Sequence, residues 1–354
     1  MNNDFTYIFP RELESFLYSV LEAHGVRSDA AHCVSEGLVQ TSLRGVDSHG
    51  IRLFPHYVEA LKAGRLNPGP AYRFEKTAAA VGRLDGDHTF GHAAGSEGMK
   101  YAVQLAEEAG TGMVAVYNSS HFGAAAYYAL QAARRGFIGL SFTHADSLMH
   151  SFGGTRPYFG TNPLCMAVPC GDEEPFCLDM ATSRVTWNKI LYHREVGESI
   201  PVGWGVDEQG REATDPHQVR SLQPIGEYKG FGLAMMIEIL CALLTGMPFG
   251  RHISRMYADP IQQKRFLGHF FMALCIDCFV DAKEFKSRLK QLMAEVREEQ
   301  AADPDQPVMV PGDPEKKAAV ERARTGIPIP AFLWEKFREY SRQIDIEITG
   351  IVKR

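Results

Sequence analysis

The sequence predicts an α/β fold entered through a helical segment, and three observations carry that reading. Met113 to Tyr117 is a short apolar, strand-like run, and an Ala/Tyr/Leu-rich stretch from Ala124 to Arg135 with helical character follows it. A second apolar run, Phe137 to Thr143, completes a strand, turn, helix, strand unit. At 354 residues the chain exceeds the size at which single cores stop growing, so two or three lobes are expected.

The elements before this unit are helical. Pro10 at a helix start, then Leu13, Phe16, Leu17, Val20 and Leu21 at spacings of three and four, then Gly25, mark an amphipathic helix with both its ends. Ser28 is placed to cap a second helix carrying Val34, Leu38 and Leu43. A third spans about Leu53 to Leu61, and Asn67-Pro68-Gly69-Pro70 breaks the chain. From about Arg73 the texture changes to short strands and Gly-punctuated helices, with a helix from Ala93 to Ala109. Leu164 to Val168 and Phe176 to Met180 read as strands.

The turn-rich stretch Gly203 to Gly226 reads as a long surface excursion, which in a compact enzyme tends to be functional. Gly230 to Leu244 reads as a buried helix, His269 to Val280 as a long apolar strand, and Glu284 to Glu299 as an amphipathic helix. A Pro/Asp-rich linker, Ala302 to Pro314, precedes a final helix over Pro330 to Ile344.

Composition narrows the partners. A formal net charge of −6, with 45% hydrophobic and 23% charged residues, describes an ordinary globular protein and gives no reason to expect nucleic acid. The longest apolar run, Phe231 to Leu244, contains Glu238 and is shorter than the roughly 18 residues of a membrane span, so no membrane partner is expected. Seven cysteines between Cys33 and Cys278, in a chain too large to need staples, point to free thiols and a cytoplasmic setting. Met1 to Arg11 carries Asp4 and lacks the pattern of a secretory signal.

Two histidines stand out. His121 follows the strand of the α/β unit in Asn118-Ser119-Ser120-His121-Phe122-Gly123, and open α/β sheets place ligand chemistry outside the carboxyl ends of their strands. An imidazole there, with an ordinary pKa near 6.5, is a candidate acid or base. His49 sits in a comparable setting, Val46-Asp47-Ser48-His49-Gly50, where Asp47 and Ser48 could hold it or orient a substrate.

Neither a G-x-G-x-x-G after a strand nor a P-loop is present. Yet Tyr228-Lys229-Gly230-Phe231-Gly232 precedes a helix, and backbone N–H groups, a glycine and a lysine there could cradle an anion. Cys275-Ile276-Asp277-Cys278 has the spacing of a redox or metal pair. Within a strand, however, residues three apart face opposite sides, and no second pair completes a zinc site.

Taken together these segments resemble the malate/L-lactate dehydrogenase type 2 family. The resemblance rests on Gly45 to Gly50, Asn118 to Gly123, Gly160 to Pro169, Leu178 to Thr182, Thr214-Asp215-Pro216 and Lys229-Gly230-Phe231-Gly232. It implies a non-Rossmann nicotinamide-binding fold of mixed α/β (α+β) class, with a mixed central sheet and a helical lobe formed by both termini. The expected division is a lobe of residues 1–72 joined by 315–354, and a cofactor-binding domain of 73–314 with an insertion at about 185–265.

The resemblance further implies oxidation of a small 2-hydroxy acid with NAD, NADP remaining open, in a homodimer. His121 becomes the proton acceptor, while His49 matches the histidine other subgroups use as proton donor. Asp179, Met180, Ala181, Lys229 and Gly230 are placed at the cofactor. Ser48 and one of Arg44, Arg52 or Arg251 are expected at the substrate, a guanidinium gripping its carboxylate. Ser199 to Val206 and Gly246 to Tyr257 look most like the ureidoglycolate dehydrogenase subgroup. Three departures follow: Arg52 comes two residues after Gly50 where the family commonly has Arg at three, Ala145 replaces a cofactor-contacting serine, and Cys275-Ile276-Asp277 replaces Asn-Pro-Asn. The last leaves Asp277 as the polar contact to the cofactor there.

Overall fold

The computed structural model describes residues 5–352. Met1 to Asp4, part of the stretch read for a signal, lie outside the described residues. A short strand, β1 (Phe5–Ile8), leads into α1 (Pro10–Ala23), α2 (Ser28–Leu43) and α3 (Phe54–Lys62). The apolar stripe of α1 is fully buried, as its spacing predicts. Ser28 is the first residue of α2 and not its cap; its hydroxyl meets Tyr18 instead, 2.8 Å away.

The central sheet combines β2 (Arg73–Ala78), β3 (Val81–Asp85), β4 (Thr111–Ser119), β5 (Phe137–Thr143), β8 (Leu164–Cys170), β9 (Glu173–Met180) and β12 (Leu267–Cys275). Their spatial order is β2-β3-β4-β12-β5-β8-β9, with only β3 and β4 parallel. The strand, helix, strand unit is present, but β12 lies between its two strands and pairs antiparallel with both. Helices α4 (Gly91–Ala109) and α5 (Ala126–Arg134) share one hydrophobic cluster with the sheet. α7 (Tyr228–Glu238) and the π-helical turn after it pack on Ala115, Phe142 and Phe270 in another.

Between β5 and α7 the chain adds β6 (Met149–His150), β7 (Pro157–Phe159), α6 (Trp187–Val196), β10 (Gly205–Val206) and β11 (Ser221–Leu222). The stretch 203–226, expected on the surface, is partly internal: β10 and β11 join β6 and β7 in a small sheet, and Val206, Val219 and Leu222 are buried. After α8 (Ala282–Arg297) come α9 (Asp313–Thr325), β13 (Ile327–Pro330) and α10 (Ala331–Ile344). β13 pairs with β1, so residues from both ends of the described chain enter one cluster with α1, α2 and α3.

Two expectations fail here. The run 230–244 is not a buried helix: Leu233, Met235, Met236, Ile239, Leu243 and Leu244 are exposed, and only one side packs on the sheet. Its buried Glu238 accepts hydrogen bonds from Asn162 Nδ2 and the Gly250 N–H. The strand read as 269–280 stops at Cys275, where a 3-10 turn over Ile276–Cys278 takes over.

Candidate active site

His121 lies just beyond the carboxyl end of β4, where Asn118 adopts a positive φ of 51° and the chain leaves the sheet. Gly123, at φ +73°, follows; a Cβ there would lie 2.5 Å from the His92 ring, so only glycine lets the chain turn this tightly into α5. The His49 turn approaches from the helical lobe. Gly50 packs on Ser42, whose hydroxyl accepts the Ile51 N–H at 3.0 Å. Arg322 of α9 holds Asp47 through both carboxylate oxygens, at 2.6 and 2.9 Å.

These constraints bring the two imidazoles together, stacked with centroids 5.9 Å apart. Ser48 Oγ lies 2.9 Å from His49 Nδ1, and Tyr57 of α3 places its hydroxyl 2.7 Å from His121 Nδ1. Burial holds the His121 pKa well below 6.5, helped by the Arg265 charge and by the neighbouring His49, with which it would share positive charge, and burial lowers His49 as well. Both rings are therefore neutral at pH 7. Burial also keeps the Tyr57 hydroxyl protonated.

Both histidines line a cavity of about 800 Å³. One wall follows Gly123 to Ala125 and then α5 to Arg134, a helix about 13 Å long. Asp179, Met180 and Ala181 at the end of β9 form another, and Ser48 faces the same space. Asp179 accepts the Ala126 N–H at 2.8 Å, at the start of α5. Its carboxyl is pushed up to about 6 by burial, against the lowering effect of that N–H bond. Its accessible surface faces the cleft, so it is walled in by protein yet wetted from within.

Of the three guanidiniums expected at the substrate, the structure brings one into the cleft. Arg44 lines it, is 9% exposed, and keeps a buried Nη2 without a partner. Arg52 points outward on its 3-10 turn, and the next residue, Leu53, lines the cleft. Arg251 donates to the Pro157 carbonyl and lies over the Tyr158 ring, outside the lining. Lys229 is exposed at the start of α7, and Gly230 packs on the Ile225 backbone; neither lines this cavity. Asp277 is at the far end of β12, about 25 Å along the strand from the β4 exit, and accepts the Ala282 N–H. The strand direction carries it away from His121.

Sequence reading missed Tyr57, Asp146 and Arg265. Asp146 lines the cleft just past β5, where it binds the buried Arg265 and accepts the Met256 N–H at 2.5 Å. The strand-end rule that singles out His121 applies equally to Asp146. Tyr57 carries no such signal, because its partner is 64 residues away.

The residues present fit a nicotinamide dinucleotide. The cleft is long enough for an extended ligand, and Asp179 offers an acceptor to sugar hydroxyls.

Residues 8–338 match the profile described as malate/L-lactate dehydrogenase. A malate dehydrogenase of Pyrococcus abyssi is 33% identical over 346 residues, covering 95% of this chain and 94% of that one. An Escherichia coli ureidoglycolate dehydrogenase (NAD(+)) is 37% identical over 301 residues, covering 84% and 86%. The solved sulfolactate dehydrogenase of Methanocaldococcus jannaschii superposes with a TM-score of 0.91 at 31% identity, covering 98% of this chain and 100% of that one. The chain belongs to the malate/L-lactate dehydrogenase family and is a nicotinamide-dependent dehydrogenase acting on a CH–OH group.

Proposed function

We propose that the protein oxidises (S)-ureidoglycolate to oxalurate with NAD, in purine catabolism. The observation that carries the reaction type is a neutral, walled-in His121 hydrogen-bonded to Tyr57 beside the cleft. Bound nicotinamide supplies the hydride acceptor. An alcohol loses hydride only as its hydroxyl proton leaves, so a base must sit within hydrogen-bond reach. His121 serves if Nδ1–H donates to the Tyr57 oxygen, which leaves Nε2 a lone pair for the substrate proton. The Gly123 N–H, 3.4 Å from the same Nδ1, is too long a contact to fix the opposite tautomer.

His49, steadied by Ser48, is the second proton-handling group. Arg44 holds the substrate carboxylate, and Asp179, Met180 and Ala181 hold the cofactor. Ureidoglycolate is favoured by the subgroup segments 199–206 and 246–257 and by the 37% identity to the Escherichia coli relative. Malate is the second reading, favoured by the fuller coverage of the Pyrococcus relative. Steady-state rates with NAD and NADP on ureidoglycolate, malate, lactate, sulfolactate, a diketogulonate and a cyclic imine carboxylate decide. A kcat/KM for any other acid above that for ureidoglycolate overturns the substrate assignment.

The exposed apolar side of α7 and the π-helical turn after it supports a homodimer, because a second copy would cover Leu233, Met236, Leu243 and their neighbours. A monomer by light scattering at micromolar concentration overturns it. The seven free thiols support a cytoplasmic setting. The helices of both termini share one cluster and the sheet with α4 and α5 another, which supports a lobe of 1–72 with 315–354 and a domain of 73–314 with an insertion at about 185–265, Phe90, Ala93 and Met256 reaching across into the helical cluster.

A further inference from the structure

The Cys275-Ile276-Asp277-Cys278 segment stands apart from the cleft, at the opposite end of β12. In a continuous strand its cysteines would face opposite sides. The fold removes that obstacle: β12 ends at Cys275, which is the N-cap of the 3-10 turn whose third residue is Cys278. N-cap and N3 side chains face one another, the relation that lets a capping box close, and residues three apart eclipse at three residues per turn. The turn is anchored, since the Cys275 N–H donates to the Gly110 carbonyl at 2.9 Å and the Cys278 side chain packs on Gly110. The side chain with the largest influence on the Cys278 thiol is that of Cys275. Cys278 is exposed and Cys275 half-buried, whereas Cys165, Cys170, Cys177 and Cys241 are buried.

We propose that Cys275 and Cys278 form a thiol–disulfide exchange site that reacts with small disulfides of the glutathione type and ends as an intrachain disulfide. The exposed Cys278 thiolate attacks one sulfur of glutathione disulfide, forming a mixed disulfide as one glutathione thiolate leaves. The Cys275 thiolate then attacks the Cys278 sulfur, and the second glutathione thiolate leaves. The pair loses two protons and two electrons, and one glutathione disulfide becomes two glutathiones. The neighbouring Cys275 side chain, with smaller contributions from burial and Asp277, holds the Cys278 thiol above its ordinary range. Exchange therefore accelerates as pH rises from 7 to 9.

The test treats the full-length protein with glutathione disulfide and reads intact mass, free thiols and a peptide map, with no turnover assay, so its outcome is independent of the dehydrogenase reading. The wild type is expected to lose two of its seven thiols with the bridge mapped to Cys275 and Cys278. Cys275→Ser is expected to retain glutathione on Cys278, and Cys278→Ser to leave Cys275 free. A stable glutathione adduct on the wild-type pair, unreacted thiols at both positions, or a bridge mapped instead to Cys165 and Cys177, whose sulfurs are 3.7 Å apart, overturns the proposal.

Discussion

The two histidines and the Asp179 carboxylate line the same cleft, yet burial moves them in opposite directions. It lowers His121 and His49 and leaves them neutral, with a lone pair free to accept a proton. It raises Asp179 to about 6, so that its charge is lost just below neutrality. Desolvation disfavours whichever form is charged, so one physical cause produces neutral imidazoles on one wall and a weakened anion on another.

The sharpest way to break this contrast is His121→Ala. Loss of a general base typically lowers kcat by about 100- to 10,000-fold, while NADH binding, followed by fluorescence, is expected to persist. Unchanged turnover would remove His121 from the chemistry.

Arg44→Gln tests the orphaned guanidinium. A charge-assisted hydrogen bond of about 1.5–3 kcal/mol corresponds to a rise in substrate KM of roughly 10- to 100-fold, with kcat less affected. A KM within twofold of wild type would return Arg44 to a structural role. Tyr57→Phe removes a neutral hydrogen bond, so kcat is expected to fall by up to about tenfold; an unchanged rate would show that His121 orients itself.

The pH profile separates the histidines from the carboxylate. His121 is already neutral well below pH 6.5, so the acid limb should follow Asp179: as pH falls through about 6 its carboxylate is protonated and the KM for the cofactor rises. Asp179→Asn should flatten that limb. A limb that persists near 6 in this variant would assign it to another group.

The smallest effect concerns stability. A carboxyl raised from 3.8 in the unfolded chain to about 6 binds more protons when folded, so its contribution to stability falls as pH rises through that window. Asp179→Asn is then expected to stabilise the protein at pH 7, by under about 1 kcal/mol because cleft water screens the charge. Thermal melts at pH 5 and pH 7 check the sign, the gain being smaller, about half, at the lower pH.

Much of this was legible in the sequence because it is local. The α1 stripe buries as its spacing requires, and His121 stands at the strand end its flanks predict. α9 escaped notice because none of its residues is buried, so it carries no apolar stripe among its Glu, Lys and Arg. α7 misled for the opposite reason: apolar composition registers that a surface is to be covered, not that this chain covers it.

The sequence by itself determined the α/β class, the strand-end position of His121 and the motifs that carry the family, whereas His49, expected in a comparable setting, stands on a 3-10 turn between α2 and α3. Only the tertiary structure decided that β12 separates β4 from β5, that Tyr57 meets His121, that Arg44 faces the cleft while Arg52 and Arg251 do not, and that Asp277 lies far from it. Periodicity and spacing encode which face a residue shows to its own element. Which residues meet across the fold depends on strand order and packing between segments up to hundreds of positions apart, and no local pattern records that.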